Sequence, residues 1–244
     1  MSDDSITRPG EKFYEEKAKK ILDYLRRDIR YDGKFFPRPF FIEFFGSPSA
    51  GKTTTITEVD KFLRRHGFRV WRPQEGAEVI RHIERNTPLY NIRTAMYALQ
   101  ILVDQSVGNL YDVVIFDRCI FDSYCWFLYW QEKNLLTEEE TKIFQSFFLS
   151  RFWKENLDIA YMMTCAPEKA MERELRIALS SKLGETTNPK TIERLIARCQ
   201  KAFFTLSPTC PQLRMVDTTF LEEQEMVQNI ATDILFTLER KSSN

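Results

Sequence analysis

The chain contains an eight-residue segment whose residue types and spacing could bind a triphosphate. It reads G-x-x-x-x-G-K-T and consists of Gly46, Ser47, Pro48, Ser49, Ala50, Gly51, Lys52 and Thr53. Glycines let a backbone curl around phosphate oxygens, which then meet successive N–H groups and the positive end of a following helix. Lys52 is expected at the β- and γ-phosphates and the Thr53 hydroxyl on Mg²⁺, with Thr54 next to them. The segment predicts a binding loop for a nucleoside triphosphate, with ATP and Mg²⁺ as cofactors.

The segments around this loop have the patterns that it requires. An apolar run at 40–45 predicts a buried strand before it, and 53–65 predicts a helix after it. Further strand-like runs lie at 68–71, 112–117, 157–164 and 213–217. Because helical patterns separate these runs, the sequence predicts an α/β fold with a parallel sheet covered by helices on both faces.

Three helical patterns between the strands carry specific signals. The first places four apolar residues on one face: Ile92, Met96, Leu99 and Val103. The second opens with a capping box formed by Thr137 and Glu140, and the third begins at 166–168 with a proline at an early position.

An amphipathic segment at 11–30 precedes the sheet. Its apolar stripe comprises Tyr14, Ala18, Ile21, Leu22, Leu25 and Ile29. Two interpretations stay open: a docking helix for a partner or second subunit, and a helix packed on its own domain. Residues 1–38 are therefore expected to form a helix and linker, and residues 39–244 the catalytic domain.

Charged residues follow two of the predicted strands, where ligands of parallel sheets gather. Asp117 could hold Mg²⁺ opposite Thr53, and Arg118 could clamp a phosphate or a substrate oxygen. Glu75 follows the second strand, and it is either a base for the acceptor hydroxyl or a turn residue in water. Asp122 is either a substrate ligand or a solvated, helix-capping acid.

A lid is predicted at about 173–190. Arg173 and Arg176 lie three residues apart on a helical pattern, and a polar stretch with Gly184 and Pro189 follows them. Such a segment could close over the triphosphate and bring both arginines to the transferring phosphoryl group. The alternative is a solvated, charged helix.

Composition narrows the class of protein. The 35 basic and 35 acidic side chains cancel, so no strong nucleic-acid signal exists. No apolar stretch is long enough to cross a bilayer, and the start of the chain lacks signal-peptide features. Five cysteines without paired C-x-x-C spacing favour a cytoplasmic location over zinc or disulfides.

Taken together, residues 38–240 resemble the P-loop kinases of the thymidylate kinase and deoxynucleoside kinase branch, and they are also similar to nicotinamide riboside kinase-like domains. The resemblance rests on the phosphate loop, Gln-Glu-Gly at 74–76, F-D-R-C-I-F-D-S at 116–123, A-P-E-K-A-M-E-R at 166–173 and V-D-T-T at 216–219. It implies strand order 2-3-1-4-5 and a lid between the fourth and fifth strands. It also implies catalytic roles for Lys52, Asp117 and Arg118, and phosphate contacts for Arg173 and Arg176.

The sequence identifies the phosphoryl acceptor less precisely than it identifies the class of enzyme. Thymidylate kinases carry Glu-Pro-Gly where this chain has Gln74-Glu75-Gly76, and deoxynucleoside kinases usually carry Glu-Arg-Ser where it has Asp117-Arg118-Cys119. Four aromatic residues could stack a base or only pack helices: Tyr124, Trp126, Tyr129 and Trp130. We therefore expect a kinase for a nucleoside or nucleotide, with a nucleotide-dependent switch or partner-regulated ATPase as the alternative. A homodimer is left open, and a GTPase is disfavoured because no N-K-x-D sequence occurs.

Overall fold

The computed structural model describes residues 10–32, 38–108, 110–177 and 188–242. The strands in these ranges are β1 (Phe40–Gly46), β2 (Val70–Trp71), β3 (Val113–Asp117), β4 (Leu157–Thr164) and β5 (Leu213–Asp217). The helices are α1 (Glu11–Asp32), α2 (Lys52–Arg65), α3 (Gly76–Val79), α4 (Pro88–Ser106), α5 (Ile120–Glu132), α6 (Glu138–Phe148), α7 (Arg151–Lys154), α8 (Pro167–Ile177), α9 (Pro189–Leu206) and α10 (Glu223–Ser242).

The five strands form one parallel sheet in the order β2-β3-β1-β4-β5. β1 is central, and the strands on either side of it are β3 and β4. Every residue of β4 and all but the last of β1 are buried, as helices on both faces of a parallel sheet require. The predicted fold class and strand order are confirmed.

Two apolar layers flank the sheet. The first contains side chains from α1, α2 and α10, and the second contains side chains from α4, α5 and α9. Alternate residues of β1 face opposite layers, so Phe44 packs in the first and Phe45 in the second. In the part of the chain that the structure describes, no helix has the length and apolar character needed to span a membrane.

The first turns of α1 pack on the same domain. Tyr14, Ala18, Ile21 and Leu22 are buried, and the Tyr14 hydroxyl donates to the Gln228 carbonyl on α10 at 3.4 Å. Lys17 also pairs with Glu239 of α10 at 2.8 Å. Between the two interpretations of this helix, these contacts favour packing on its own domain. The side chains of Leu25 and Ile29 lie outside the described part.

The four apolar residues that share a face of α4 are only partly buried. Leu99 is buried, but Met96 and Val103 are 53% and 43% exposed. The helix is apolar around most of its circumference, so periodicity alone does not select the buried face. The face that packs into the second layer instead carries the small residues Ala95 and Ala98.

Two strands start one or two residues later than predicted, next to a contact between Arg69 and Asp112 that uses both backbone and side-chain groups. The Asp112 carboxylate accepts the Arg69 backbone N–H at 2.7 Å and also pairs with the Arg69 guanidinium at 2.7 Å. Strand β2 begins at Val70 instead of Phe68, and β3 begins at Val113 instead of Asp112.

Helix ends around the predicted lid are partly described. Residues 173–177 belong to α8, and the predicted lid residues 178–187 lie outside the described part. Helix α9 begins at Pro189, and the Asn188 side chain caps it by accepting the Thr191 N–H at 2.9 Å. The predicted capping box of Thr137 and Glu140 is confirmed at the start of α6.

Candidate active site

The segment between β1 and α2 is curled in the way that its glycines allow. Gly46 has φ of +120°, and a Cβ atom there would lie 2.1 Å from the Met163 carbonyl oxygen of β4. Gly51, the N-cap of α2, has φ of +85°. Ser47 is buried, and its N–H donates to the same Met163 carbonyl at 2.9 Å. The neighbouring strand thus fixes the start of the loop, and only glycine fits at position 46.

The rest of the loop presents unpaired donors. Among the described residues, the backbone N–H groups from Ser49 to Thr54 have no hydrogen-bond partner, and Pro48 has no N–H to offer. The buried Ala50 is held by its carbonyl, which accepts the Thr218 hydroxyl at 3.1 Å. The Thr53 side chain is exposed in the first turn of α2, and that of Thr54 is half-buried. This arrangement can receive phosphate oxygens at a helix N-terminus.

Lys52 is folded against the loop itself. Its ammonium donates to the Ser47 carbonyl at 2.6 Å and to the Gly46 carbonyl at 3.4 Å. Burial, together with a smaller effect of the nearby Arg118 guanidinium, lowers the pKa of Lys52 to about 8. An anionic ligand would offset both effects by supplying negative charge.

The end of β3 lies beside the end of β1. Asp117 is in register with Phe44, and the Arg118 N–H donates to the Phe44 carbonyl at 2.9 Å. Arg118 has φ of +70°, a conformation that costs on the order of 1–3 kcal/mol in a non-glycine residue. The carboxylate of Asp117 is close enough to affect the pKa of Lys52. Pairing of β1 with β3 therefore brings together the two motifs that the sequence places about sixty residues apart.

Arg118 also joins Glu75, the candidate base. The guanidinium binds the Glu75 carboxylate at 3.2 Å, and both residues line one cavity. Asp122, Tyr90 and Trp126 line the same cavity. The interpretations of Glu75 and Asp122 as freely solvated acids are therefore disfavoured.

The carboxylates and the guanidinium in this cavity shift one another's ionisation. Burial raises the pKa of Glu75, and Arg118 opposes that shift without cancelling it. Burial likewise raises the pKa of Asp122 against the opposing effects of Arg118 and Lys52. For Arg118, burial is outweighed by Asp122, Glu75 and Asp117, so its pKa is raised and the side chain stays charged. Raised carboxylate pKa values suit groups that accept a proton near neutral pH.

Glu43 is a site residue that the sequence analysis did not single out. It lies in the middle of β1, is fully buried, and accepts three backbone N–H groups at the start of α5: Cys119 at 2.8 Å, Asp122 at 2.9 Å and Phe121 at 3.1 Å. Burial raises the pKa of Glu43 to about 8, although the three hydrogen bonds lower it. The signal in the sequence is a lone acid inside the apolar run F-F-I-E-F-F. Glu43 positions the segment that carries Asp117, Arg118 and Asp122.

The two arginines of α8 have different environments. The Arg173 guanidinium donates to the carbonyl oxygens of Thr218 at 2.8 Å and Ser49 at 3.1 Å, and to the Thr218 hydroxyl at 3.1 Å. Glu174 accepts the Ser49 hydroxyl at 2.9 Å, whereas Arg176 is exposed. In this structure Arg173 therefore fixes the phosphate loop to α8, and the predicted phosphate contacts of both arginines stay predictions.

Some aromatic residues of α5 lie where they could stack a base, and others only pack between helices. Trp126 lines the cavity, and it contributes a hydrogen bond to Asp122. Trp130 is buried in the second layer, where its indole N–H donates to the Asn91 side chain at 2.9 Å. Tyr124 and Tyr129 are partly buried and pack against the same layer. Among these four residues, only Trp126 lines the cavity.

The residues at this edge of the sheet fit a magnesium ion bound together with a nucleotide. Over the described ranges, no cluster of three or more His, Cys, Asp or Glu side chains could hold a metal alone. Mg²⁺ is usually bound by one or two protein oxygens, with phosphates and water completing the octahedron. The exposed Thr53 hydroxyl and the Asp117 carboxylate, at the ends of neighbouring elements, are the expected protein ligands.

Comparison with known proteins identifies the fold. No protein-family model matches the chain, and no curated protein matches it in sequence. Among solved structures, it is similar to a deoxyadenosine kinase from M. mycoides with dCMP and dCDP bound. The TM-score is 0.57 at 16% identity, over 80% of this chain and 98% of that one. The same kinase with dCTP gives a TM-score of 0.53 at the same identity and coverage.

A thymidylate kinase from Candida albicans is similar as well, with a TM-score of 0.56 at 12% identity over 85% of this chain and 94% of that one. The fold is that of the P-loop deoxynucleoside and thymidylate kinases.

Proposed function

We propose that this protein transfers the γ-phosphate of ATP·Mg²⁺ to a small acceptor, a nucleoside or nucleotide. The observation that carries the proposal is the Glu75–Arg118 pair in a cavity at the end of β3. The neighbouring strand β1 accepts the Arg118 N–H and leads directly into the phosphate loop. A carboxylate with a raised pKa, a guanidinium and a phosphate-binding loop are the groups that phosphoryl transfer to a hydroxyl uses. The activities named for the similar solved structures agree with this choice.

Each group has a defined part in the proposed reaction. Glu75 accepts the proton of the acceptor hydroxyl, whose oxygen forms a bond to the γ-phosphorus while the bond from that phosphorus to the bridging oxygen of ADP breaks. Lys52 and Arg118 neutralise charge on the oxygens of the transferred group. Thr53 and Asp117 would hold Mg²⁺, which supplies further positive charge at the phosphates.

ADP release from the purified chain tests the proposal. We expect turnover that depends on one member of a panel of nucleosides and nucleotides. Equal, slow hydrolysis with every acceptor would instead support the alternative function, a nucleotide-dependent switch or partner-regulated ATPase.

Two variants with matched controls locate the reaction. Lys52→Ala should reduce turnover by at least about a hundredfold, whereas Lys61→Ala, on the exposed side of α2, should not. Glu75→Gln should likewise reduce turnover, whereas Glu78→Gln, exposed three residues later, should not. A folded Lys52→Ala protein with normal turnover would show that the loop is not the catalytic site.

A cytoplasmic location belongs to the same proposal. All five cysteines are free, and four of them are buried. Free thiols are typical of reducing compartments. The homodimer stays a prediction.

A further inference from the structure

The cavity that holds Glu75 has more negative than positive charge in its lining. In the described part of the chain, its charged lining residues are Glu75, Asp122 and Arg118. Arg118 is bound to Glu75 at 3.2 Å and also interacts with Asp122. In the proposed reaction its remaining charge serves the transferred phosphoryl group, so it is not available for a second phosphate on the acceptor. With both carboxyl groups ionised the lining is negatively charged, and with one of them protonated it is neutral. In neither protonation state does the lining have an uncompensated cation.

A phosphate group on the acceptor would need such a cation. A phosphate monoester carries about 1.5 to 2 negative charges at neutral pH, and burying them without paired cations is costly. The guanidinium of Arg85 lies 5.9 Å from the Tyr90 ring, but it is exposed and donates to the Ala77 carbonyl at 3.0 Å. Lys52 is held beneath the phosphate loop by two carbonyls. The described lining therefore disfavours a nucleoside monophosphate.

The lining does provide partners for hydroxyl groups and for a flat ring. The Tyr90 hydroxyl oxygen and the Arg118 Nε atom are buried and have no hydrogen-bond partner, and Tyr90 as a whole is only 7% exposed. A hydroxyl can both donate and accept, so it could satisfy either atom. Trp126 adds an aromatic wall to the cavity.

We infer that the acceptor is an uncharged, hydroxyl-bearing molecule of the nucleoside class and not a nucleoside monophosphate. The inference rests on the proposed phosphotransfer, whose acceptor it narrows. The carboxylates of the cavity repel a phosphate, and the unpaired Tyr90 hydroxyl and Arg118 Nε bind hydroxyl groups of the acceptor.

Steady-state kinetics with matched acceptor pairs test this inference. The full chain is assayed with ATP·Mg²⁺ and with ribo- and deoxyribonucleosides, each beside its own 5′-monophosphate. We expect kcat/KM for the best nucleoside to exceed that for its monophosphate by at least about a hundredfold. A preference for the monophosphate would overturn the inference and leave the proposed kinase activity intact. Absence of acceptor-dependent turnover would overturn the proposed function itself, and the inference with it.

Charge variants test the cause of the preference. Asp122→Asn removes a negative charge from the cavity, so the ratio of the two kcat/KM values should fall by about tenfold, whatever happens to the absolute rates. Asp104→Asn, exposed on α4 away from the cavity lining, should leave the ratio unchanged. Arg85→Ala should leave nucleoside kinetics unchanged. If it selectively lowered kcat/KM for a monophosphate that the wild type uses well, Arg85 would be a phosphate ligand and the inference would be wrong.

Discussion

The variant Glu43→Gln tests whether burial or hydrogen bonding determines the pKa of the buried Glu43 carboxyl group, which supports the site. The side chain is fully buried, and it accepts three N–H groups at the start of α5. Burial disfavours the charged form, whereas the three donors and the helix N-terminus favour it. Burial dominates, so the pKa of Glu43 rises from 4.5 to about 8 on folding.

The sign of the resulting pH dependence follows from this shift. Because the folded state binds a proton more tightly than the unfolded state, the stabilisation from protonated Glu43 is fully present below pH 4.5 and is lost as the pH rises towards 8. At about 1.4 kcal/mol per pKa unit, the loss is roughly 5 kcal/mol of unfolding free energy across this interval, as an upper value. Glutamine does not titrate, so the unfolding free energy of the variant lacks this pH-dependent contribution.

Urea denaturation of the wild type and of Glu43→Gln at several pH values between 4.5 and 8 measures the effect. The stability advantage of the wild type over the variant should shrink as the pH rises. Glu139→Gln is the matched control, because Glu139 is also in the first turn of a helix but is exposed. A wild-type advantage that grew with pH would refute the reasoning, because it would mean that the N–H donors outweigh burial and keep Glu43 ionised.

Three further predictions concern the phosphate loop. Because the pKa of Lys52 is about 8 without ligand and triphosphate should raise it, nucleotide binding at pH 8 should take up about half a proton. Titration calorimetry in buffers of different ionisation enthalpy measures this uptake, and uptake that persisted in Lys52→Ala would assign it to another group. Arg173→Ala should lower the unfolding free energy by about 1.5–3 kcal/mol because it removes charged hydrogen bonds to the loop, whereas the exposed Arg176→Ala should change it by less than about 0.5. Equal losses in denaturation would contradict this assignment. Gly46→Ala should lower stability and nucleotide affinity more than Gly51→Ala, because the new Cβ meets a backbone oxygen at position 46 but a movable methionine side chain at 51. A reversed order in melting temperature and nucleotide titration would count against this account.

The sequence was most informative where one local pattern determines one structural role. The phosphate loop could be predicted because its glycines, lysine and threonine are all needed at fixed spacing. The strands could be located from continuous apolar runs. Strand order came from the family resemblance, because pairing between distant strands is not encoded in any local pattern.

Other features depend on tertiary contacts that no local pattern contains. The buried face of α4 could not be selected because Met96 and Leu99 are equally apolar, and only packing against neighbouring helices distinguishes them. The role of Arg173 required knowing that Thr218 and Ser49 lie beside it, although they are distant in sequence. The function of Glu43 depends on the start of α5 lying beside β1.

Strand β1 explains why the candidate site is a single unit. Its carboxyl end continues into the phosphate loop at Gly46, and its Phe44 carbonyl binds the N–H of Arg118. One residue earlier, Glu43 holds the start of α5, which places Asp122 in the cavity. Since one rigid, buried strand fixes the loop, the Asp117–Arg118 turn and α5, a displacement of β1 would move the proposed triphosphate and acceptor sites together. A local change at Glu43, by contrast, should displace the start of α5 and Asp122 relative to β1, without removing any group that the proposal places in contact with either ligand.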